Sequence, residues 1–431
     1  MATIALFPEP GAWGPLNNLV ALAEVLRERG HRCVFVLEES FAGVMDAKGF
    51  EERTFAISAP ADEADGVVGD VWVQYIQEKK HDFRTPTFNQ ITTVLKPIWE
   101  ELIAANEYAH DALEAMLAEL GPDLIVHDNV SAFPAVTAGP FPWVRMVSAN
   151  PLEIVDPDLP PPLSGLPVGD RSQWADWRAE YLRVTGDLHA RFSELCESKG
   201  GRPLPAGEFH YESPWLNLYL FADAADYARG RPLGPSWHRL NTTVRTGEAP
   251  FDVDAHLPGD GPLLYLSLGS LGSLDVELMQ RLCDALADGP YRVIVSKGTL
   301  HGEISLHPKQ YGAEYLPQPS ILPHADLLIT HGGNNTLNEG FHFGLPMIAL
   351  PLFWDQYDNA QLIDESGFGV RLQTYEWQPA DLRSAVDRLL ADTPLRERMR
   401  GIAASVKAAP GQVRGADLIE DVLRTRKGAC A

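Results

Sequence analysis

The stretch Leu327–Gln356, LLITHGGNNTLNEGFHFGLPMIALPLFWDQ, decides how the rest of the chain is read. Its first residues, Leu327–Thr330, are an apolar run of the kind that becomes a buried parallel strand. Gly332 and Gly333 make a turn, and Asn334, Asn335 and Thr336 then open a helix with residue types suited to an N-terminus. The first turn of a helix leaves backbone N–H groups unpaired and carries partial positive charge, so it attracts phosphate. Glu339 lies three and four residues beyond Thr336 and Asn335 and shares their face. A carboxylate one turn below a phosphate site is well placed for a ribose diol. A second apolar strand, Pro346–Leu350, runs into a loop carrying Asp355 and Gln356. The stretch has the pattern of a nucleoside diphosphate site with two polar side chains left for whatever the diphosphate carries.

The same strand–turn–helix alternation continues on both sides. Leu263–Leu268, Tyr291–Ser296 and Gly312–Leu316 read as strands, with helices at Val276–Leu286 and Pro379–Leu390. Nearer the start, Thr3–Phe7 is a strand, PEPGAWGP a turn, Leu16–Arg29 a helix and Arg32–Leu37 a second strand. A helix through Tyr108–Leu120 and strands at Asp123–Val126 and Trp143–Ser148 follow. This is an α/β chain of two Rossmann-like halves, with ligands expected at the carboxyl ends of parallel strands. The expected division is a first domain over 1–235, a Gly/Pro-rich linker over 236–258 and a second domain over 259–412. An amphipathic C-terminal segment, 413–431, is expected to pack back on the first domain. Two insertions, Val67–Trp99 and the proline cluster within Pro151–Pro167, read as pocket walls or lids, and Trp174–Cys196 as an aromatic-rich helix.

Composition narrows the class. The 431 residues suit two domains, and the net charge of −24 argues against nucleic acid or an anionic membrane as the main partner. The four cysteines lie far apart, and no apolar run is long enough to span a bilayer. With no signal-peptide pattern at the start, the expectation is a cytoplasmic monomer or homodimer. Two Asp-x-Asp triplets, Asp156–Asp158 and Asp252–Asp254, fall in loop-like stretches and read as solvated acids, so no metal site is assigned.

Four segments of the second half carry the chemistry: Ser267–Ser270, YLPQ at Tyr315–Gln318, HGGNNTLNE at His331–Glu339, and PLFWDQ ending in Asp355–Gln356. Together they resemble the family 1 glycosyltransferases of the GT-B fold, which include plant glucosyltransferases and bacterial macrolide and antibiotic glycosyltransferases. The resemblance is specific over Tyr315–Gln361. It implies two Rossmann-like domains facing a central cleft and an inverting transferase that moves a hexose from a UDP-sugar to a hydroxyl of a lipophilic small molecule. Tyr315 would then stack on the base, with the Leu316 backbone and Gln318 beside it. Ser270, His331, Gly333, Asn335 and Thr336 would hold the diphosphate and Glu339 the ribose. Asp355 and Gln356 would bind the sugar, with UDP-glucose the first expectation. No cofactor beyond this co-substrate is implied.

The same resemblance exposes a gap. The family's base, a His or Asp in the first loop, corresponds here to Pro15, which cannot take a proton. Asp128, expected to orient that base, is present, so Asp128 or the neighbouring His127 is the candidate catalytic group, with Glu9 of the first loop as another source. Trp13, Trp72, Phe83, Phe88 and Trp143 are candidate acceptor contacts, although aromatic residues are more often core. The alternatives are an auxiliary protein that has lost transfer activity and a sugar-nucleotide 2-epimerase.

Overall fold

The computed structural model describes residues 1–59 and 78–429. Among these, seven strands form a first sheet: β1 (Thr3–Pro8), β2 (Arg32–Glu38), β3 (Glu51–Phe55), β4 (Leu124–Asp128), β5 (Trp143–Val147), β6 (Leu216–Tyr219) and β7 (Trp237–Arg239). Their order is β3-β2-β1-β4-β5-β6-β7, and every pairing is parallel. A second sheet holds β8 (Leu263–Ser267), β9 (Arg292–Ser296), β10 (Gln310–Ala313), β11 (Leu327–Thr330), β12 (Met347–Ala349) and β13 (Gly369–Arg371). It is also parallel throughout, in the order β10-β9-β8-β11-β12-β13. Helices cover both faces, which is why β11 can be an uninterrupted apolar run with all four residues buried.

In each sheet the strand order reverses once, between β1 and β4 and between β8 and β11. Such a reversal opens a crevice at the carboxyl ends, because the two connecting helices leave in opposite directions. Pro8 is in register with Asp128, and Ser267 with Thr330, so the loops after these four strands start side by side.

The helices that position the site are α1 (Trp13–Glu28), α2 (Lys96–Leu120), α3 (Trp174–Ser198), α4 (Val276–Ala287), α5 (Asn334–Phe343) and α6 (Gln356–Glu365). After α7 (Pro379–Ala391) and α8 (Thr393–Ala408), the chain ends in α9 (Gly411–Ala429). Helix α9 packs on α1, and Ala416, Ile419 and Leu423 share a core with Leu16, Leu19 and Leu22. Outside that core, Arg29 reaches Asp417 at 2.7 Å and Glu420 at 3.0 Å.

Some boundaries differ from the sequence expectation. Strand β7 lies inside the stretch read as linker, and it completes the first sheet beside β6. Helix α2 starts well before Tyr108, burying Ile98, Trp99 and Ile103 along the same face as Leu113 and Leu117. The preceding turn, Ile91–Leu95, is π-helical, and that wide turn breaks the periodicity on which a longer helix would have been recognised. Trp72 lies outside the described residues.

The proline-rich insertion crosses to the second domain as a strap. Asp358 of α6 accepts the N–H groups of Leu163 at 2.6 Å and Gly165 at 2.7 Å. Glu365, two turns further on, accepts those of Val168 and Gly169, both at 2.9 Å. Gly165 has φ +62°, and a Cβ there would stand 2.8 Å from the Tyr357 Cβ.

A comparable close approach fixes the return of the last helix. A Cβ on Gly411 would lie 1.8 Å from the Leu240 carbonyl oxygen and 2.6 Å from that of Thr242. Gly411→Ala should therefore lower stability by about 1–3 kcal/mol, the usual range for overpacking. Chemical denaturation checks this, and an unchanged midpoint would contradict the tight seating of α9.

Candidate active site

A cleft of about 640 Å³ separates the two sheets' carboxyl ends and is lined by loops from both domains. On the second-domain side, His331 sits at the end of β11 with its ring between two glycines. A Cβ on Gly269 would come within 2.7 Å of the ring, and one on Gly333 within 2.5 Å. Gly269 also has φ +72°, so its position requires glycine on two counts, and Gly332 has φ +88°. Burial drives the His331 pKa down to about 4, which leaves the imidazole neutral. Ser270, Gly333, Asn335 and Thr336 line the same wall at the start of α5. This wall offers main-chain N–H groups, hydroxyls and an imidazole to an anion.

Asn334 does not cap its helix. Its amide nitrogen donates across the cleft to the carbonyls of Ser148 at 2.9 Å, Ala149 at 3.1 Å and Leu220 at 3.3 Å. The N-terminal end of α5 is thereby docked against the first domain.

Tyr315, 58% exposed, presents its ring at the cleft, with its hydroxyl donating to Glu248. Leu316 and Gln318 follow it in the lining. Glu339 is buried, and Arg245 holds one of its oxygens at 2.9 Å while the Gln318 amide donates to the other. Arg245 also reaches Glu248 at 2.6 Å. Burial opposes its charge, but Glu339 and Glu248 outweigh that and hold its pKa above the ordinary arginine value. Sequence reasoning missed Arg245 because it lies in the stretch read as linker. Its only signal was a carboxylate three residues on, a pattern too common to mark a site.

The loop after β12 brings Trp354, Asp355 and Gln356 into the cleft. Asp355 accepts the Asn150 N–H at 2.9 Å, and Gln356 turns its carbonyl oxygen back to the N–H groups of Leu352 and Phe353. That leaves the Gln356 amide nitrogen to donate. Trp354 is held at φ +59°, a conformation costly for a bulky residue and tolerated where the surroundings impose it.

On the first-domain side, Asp128 ends β4 with both oxygens on Ser148, accepting from its hydroxyl at 2.6 Å and its N–H at 3.3 Å. Ser148 in turn accepts from Asn18 at 3.1 Å, and Asn18 accepts from Thr243 at 2.9 Å. Glu9, at the end of β1, also lines the cleft, as does Pro15. Burial pushes both Glu9 and Asp128 up to about 8.

Four expected contacts, His127, Trp143, Phe83 and Phe88, lie elsewhere. His127 alternates with Asp128 along β4 and points to the other face of the sheet. There it meets Phe7, Phe133 and Trp143, bonds His210 at 2.9 Å, and is kept neutral by burial with a pKa of about 3. Trp143 packs in that same core. Phe83 stacks on Phe353 at 5.1 Å behind the cleft wall. Of the described aromatic candidates, Trp13 lines the cleft, and the exposed Phe88 packs against Trp177 outside it. Apolar lining comes instead from Ile98, Leu102, Val130, Met146 and Val147.

Residues 253–410 match the family model described as UDP-glucoronosyl and UDP-glucosyl transferase. The NDP-glycosyltransferase YjiC of Bacillus licheniformis is 32% identical over 434 residues, covering 97% of this chain and 97% of that protein. The chain belongs to this glycosyltransferase family. Demethyllactenocin mycarosyltransferase of Streptomyces fradiae is 25% identical, over 98% of this chain and 87% of its own length. The solved structure of spinosyn rhamnosyltransferase SpnG complexed with thymidine diphosphate shares the fold with a TM-score of 0.67. The two are 15% identical, over 98% of this chain and 100% of that one. The paired Rossmann-like sheets of this glycosyltransferase are thus a GT-B fold. No helix among the described residues is long and apolar enough to cross a membrane.

The buried carboxyls give the glycosyltransferase a pH signature. Glu9 and Asp128 stand at about 8, and Asp355 and Asp358 at about 7, chiefly through burial. Their folded pKa values exceed the unfolded ones, so each binds a proton more tightly when folded. Stability from them is present at low pH and is lost as pH rises through 7 to 8. Buried histidines such as His127 and His331 work the opposite way, but only below the ordinary histidine value of 6.5. Between pH 6.5 and 8 the carboxyls dominate, and thermal midpoints should fall across that window. A midpoint rising with pH there would contradict the burial of these groups.

Proposed function

We propose that this glycosyltransferase moves a hexose, first of all glucose from UDP-glucose, to a hydroxyl of a lipophilic small molecule, with inversion and without a metal ion. One observation carries the reading: the glycine-framed His331 and the start of α5 face buried first-domain carboxyls and apolar side chains across a single cleft. The leaving group is the nucleoside diphosphate, whose charge grows as the glycosidic bond breaks. Helix-end N–H groups, Ser270, Thr336 and the His331 imidazole are arranged to receive that charge without reorganising. Attack from the first-domain side places the incoming oxygen opposite the leaving phosphate, which inverts the anomeric carbon.

The Asp-x-Asp triplets are occupied away from the cleft. Asp252 caps the short helix Val253–His256, Asp254 pairs with Arg292 at 2.8 Å, and Asp156 lies 3.8 Å from Arg229. The apolar lining supports a bulky acceptor. A relative whose name refers to demethyllactenocin supports a complex natural product, such as a polyketide or macrolide, in that place.

A second reading of the donor rests on Arg245. Arg245 and Asn335 donate to one Glu339 oxygen and Gln318 to the other, so part of the carboxylate's acceptor capacity is taken before a ribose 2′-hydroxyl arrives. This favours a thymidine diphosphate sugar, the nucleotide held by the SpnG structure.

Calorimetry with UDP and TDP separates the two donors, and mass spectrometry of reactions with UDP- or TDP-glucose and a polyketide and phenol panel seeks a hexose adduct. Glu339→Gln should weaken nucleotide binding by roughly tenfold, about 1.4 kcal/mol, while acceptor binding stays unchanged. Nucleotide binding with no adduct from any acceptor would overturn the transfer reading. An unchanged nucleotide affinity in Glu339→Gln would remove the ribose assignment.

A further inference from the structure

Transfer to a hydroxyl needs a group that takes the acceptor's proton as its oxygen attacks, and Pro15 stands where the family resemblance would put it. We propose that Glu9 is that general base, receiving the proton on its Oε1. The proposal rests on the reading of the cleft as a site of sugar transfer to a hydroxyl.

Glu9 follows β1 directly, next to Pro8, whose register partner is Asp128. It lines the cleft and is only 8% exposed. Its two oxygens differ. Oε2 accepts the Val130 N–H at 2.8 Å, which fixes the carboxyl group in place. Oε1 is buried and has no hydrogen-bond partner. A buried carboxyl oxygen without a donor is costly, and native structures keep few of them. An incoming hydroxyl supplies the missing donor.

Asp128 lacks such an opening. Ser148 donates to both of its oxygens, and the chain Ser148–Asn18–Thr243 locks that arrangement from behind. Where the family pairs this aspartate with a histidine, this chain pairs it with a serine that remains in place. Asp128 is then a positioning residue for the Ser148 loop.

Burial, with smaller contributions from Asp128 and Glu153, pushes the Glu9 carboxyl up to about 8. Asp355 and His331 face it from the opposite wall of the cleft. A base whose pKa lies near the working pH is strong enough to take a proton and still ionised in useful fraction. In the reaction, the acceptor O–H bond breaks toward Glu9 Oε1 as the oxygen bonds to the anomeric carbon. The bond from that carbon to the phosphate oxygen breaks, the electron pair leaves with the diphosphate, and Glu9 later returns its proton to water.

The test compares wild type, Glu9→Gln and Asp128→Asn on substituted phenols, from an electron-rich phenol to 4-nitrophenol, with the glucose donor that binds. Glutamine keeps an oxygen for the Val130 N–H but cannot take the proton. With the electron-rich phenol, Glu9→Gln should lose about 10²- to 10⁴-fold in kcat/KM. With 4-nitrophenol, largely ionised already, it should lose far less, and UDP or TDP affinity should not change. Equal activity of Glu9→Gln and wild type on every phenol would overturn the proposal. So would an equal loss on every phenol, which marks a structural role, or retained activity beside an inactive Asp128→Asn. If Glu9→Gln does not fold, Glu9→Asp substitutes: a graded loss confined to weakly acidic phenols supports the base, and wild-type rates refute it. A wild type that binds nucleotide yet modifies no phenol or polyketide sinks the reading of the cleft itself, an outcome distinct from failure of Glu9 alone.

Discussion

The amide of Asn334 meets three carbonyls of the other domain, and the site depends on that contact. Buried N–H groups must find acceptors, and here those acceptors all belong to the loops after β5 and β6. The helix end that would receive phosphate is therefore not free to swing away from the acceptor wall without exposing unpaired groups. Other asparagines extend the seam. Asn150 donates to Asn359 at 2.8 Å, and Asn359 donates to the Gly332 carbonyl at 2.8 Å. Donor-side and acceptor-side geometry are held in register by neutral side chains, which contribute orientation without adding charge to an acidic cleft.

The second-domain wall of the cleft was legible in the sequence, and the first-domain wall was not, for a physical reason. Phosphate is recognised by main-chain N–H groups at one helix start, so His331, Gly333, Asn335, Thr336 and Glu339 come within a few residues of one another. The acceptor side is assembled from distant pieces. Glu9 meets Val130 across 121 positions, and Asp128 meets Ser148 across 20. Arg245 reaches Glu339 across 94 positions from a segment with no local pattern. His127 shows a different difficulty. On a strand buried on both faces, apolarity does not say which neighbour looks into the cleft, and β4 gives that place to Asp128. The large aromatics misled for the usual reason: Trp143 and Phe83 serve the core, and smaller aliphatic side chains line the pocket.

Burying several carboxyls along one cleft in a chain of net charge −24 works against stability at high pH. Donors offset part of that cost: Ser148 for Asp128, Asn150 for Asp355, the strap backbone for Asp358. Glu9 Oε1 stands out against that background. Other buried polar atoms among the described residues also lack partners, Asn129 Oδ1 and Asn334 Oδ1 among them, but Glu9 Oε1 is the carboxyl oxygen of that set.

The strap over α6 has a consequence of another kind. Asp358 and Glu365 grip it through the peptide N–H groups of Leu163, Gly165, Val168 and Gly169, and not through side chains. A grip on the main chain is blind to most of the letters it holds. The clasp is broken most directly by a proline at a gripped position, which has no N–H to give, or by a side chain at Gly165. The joint between the domains is thereby set by backbone geometry more than by the identity of the side chains along the strap.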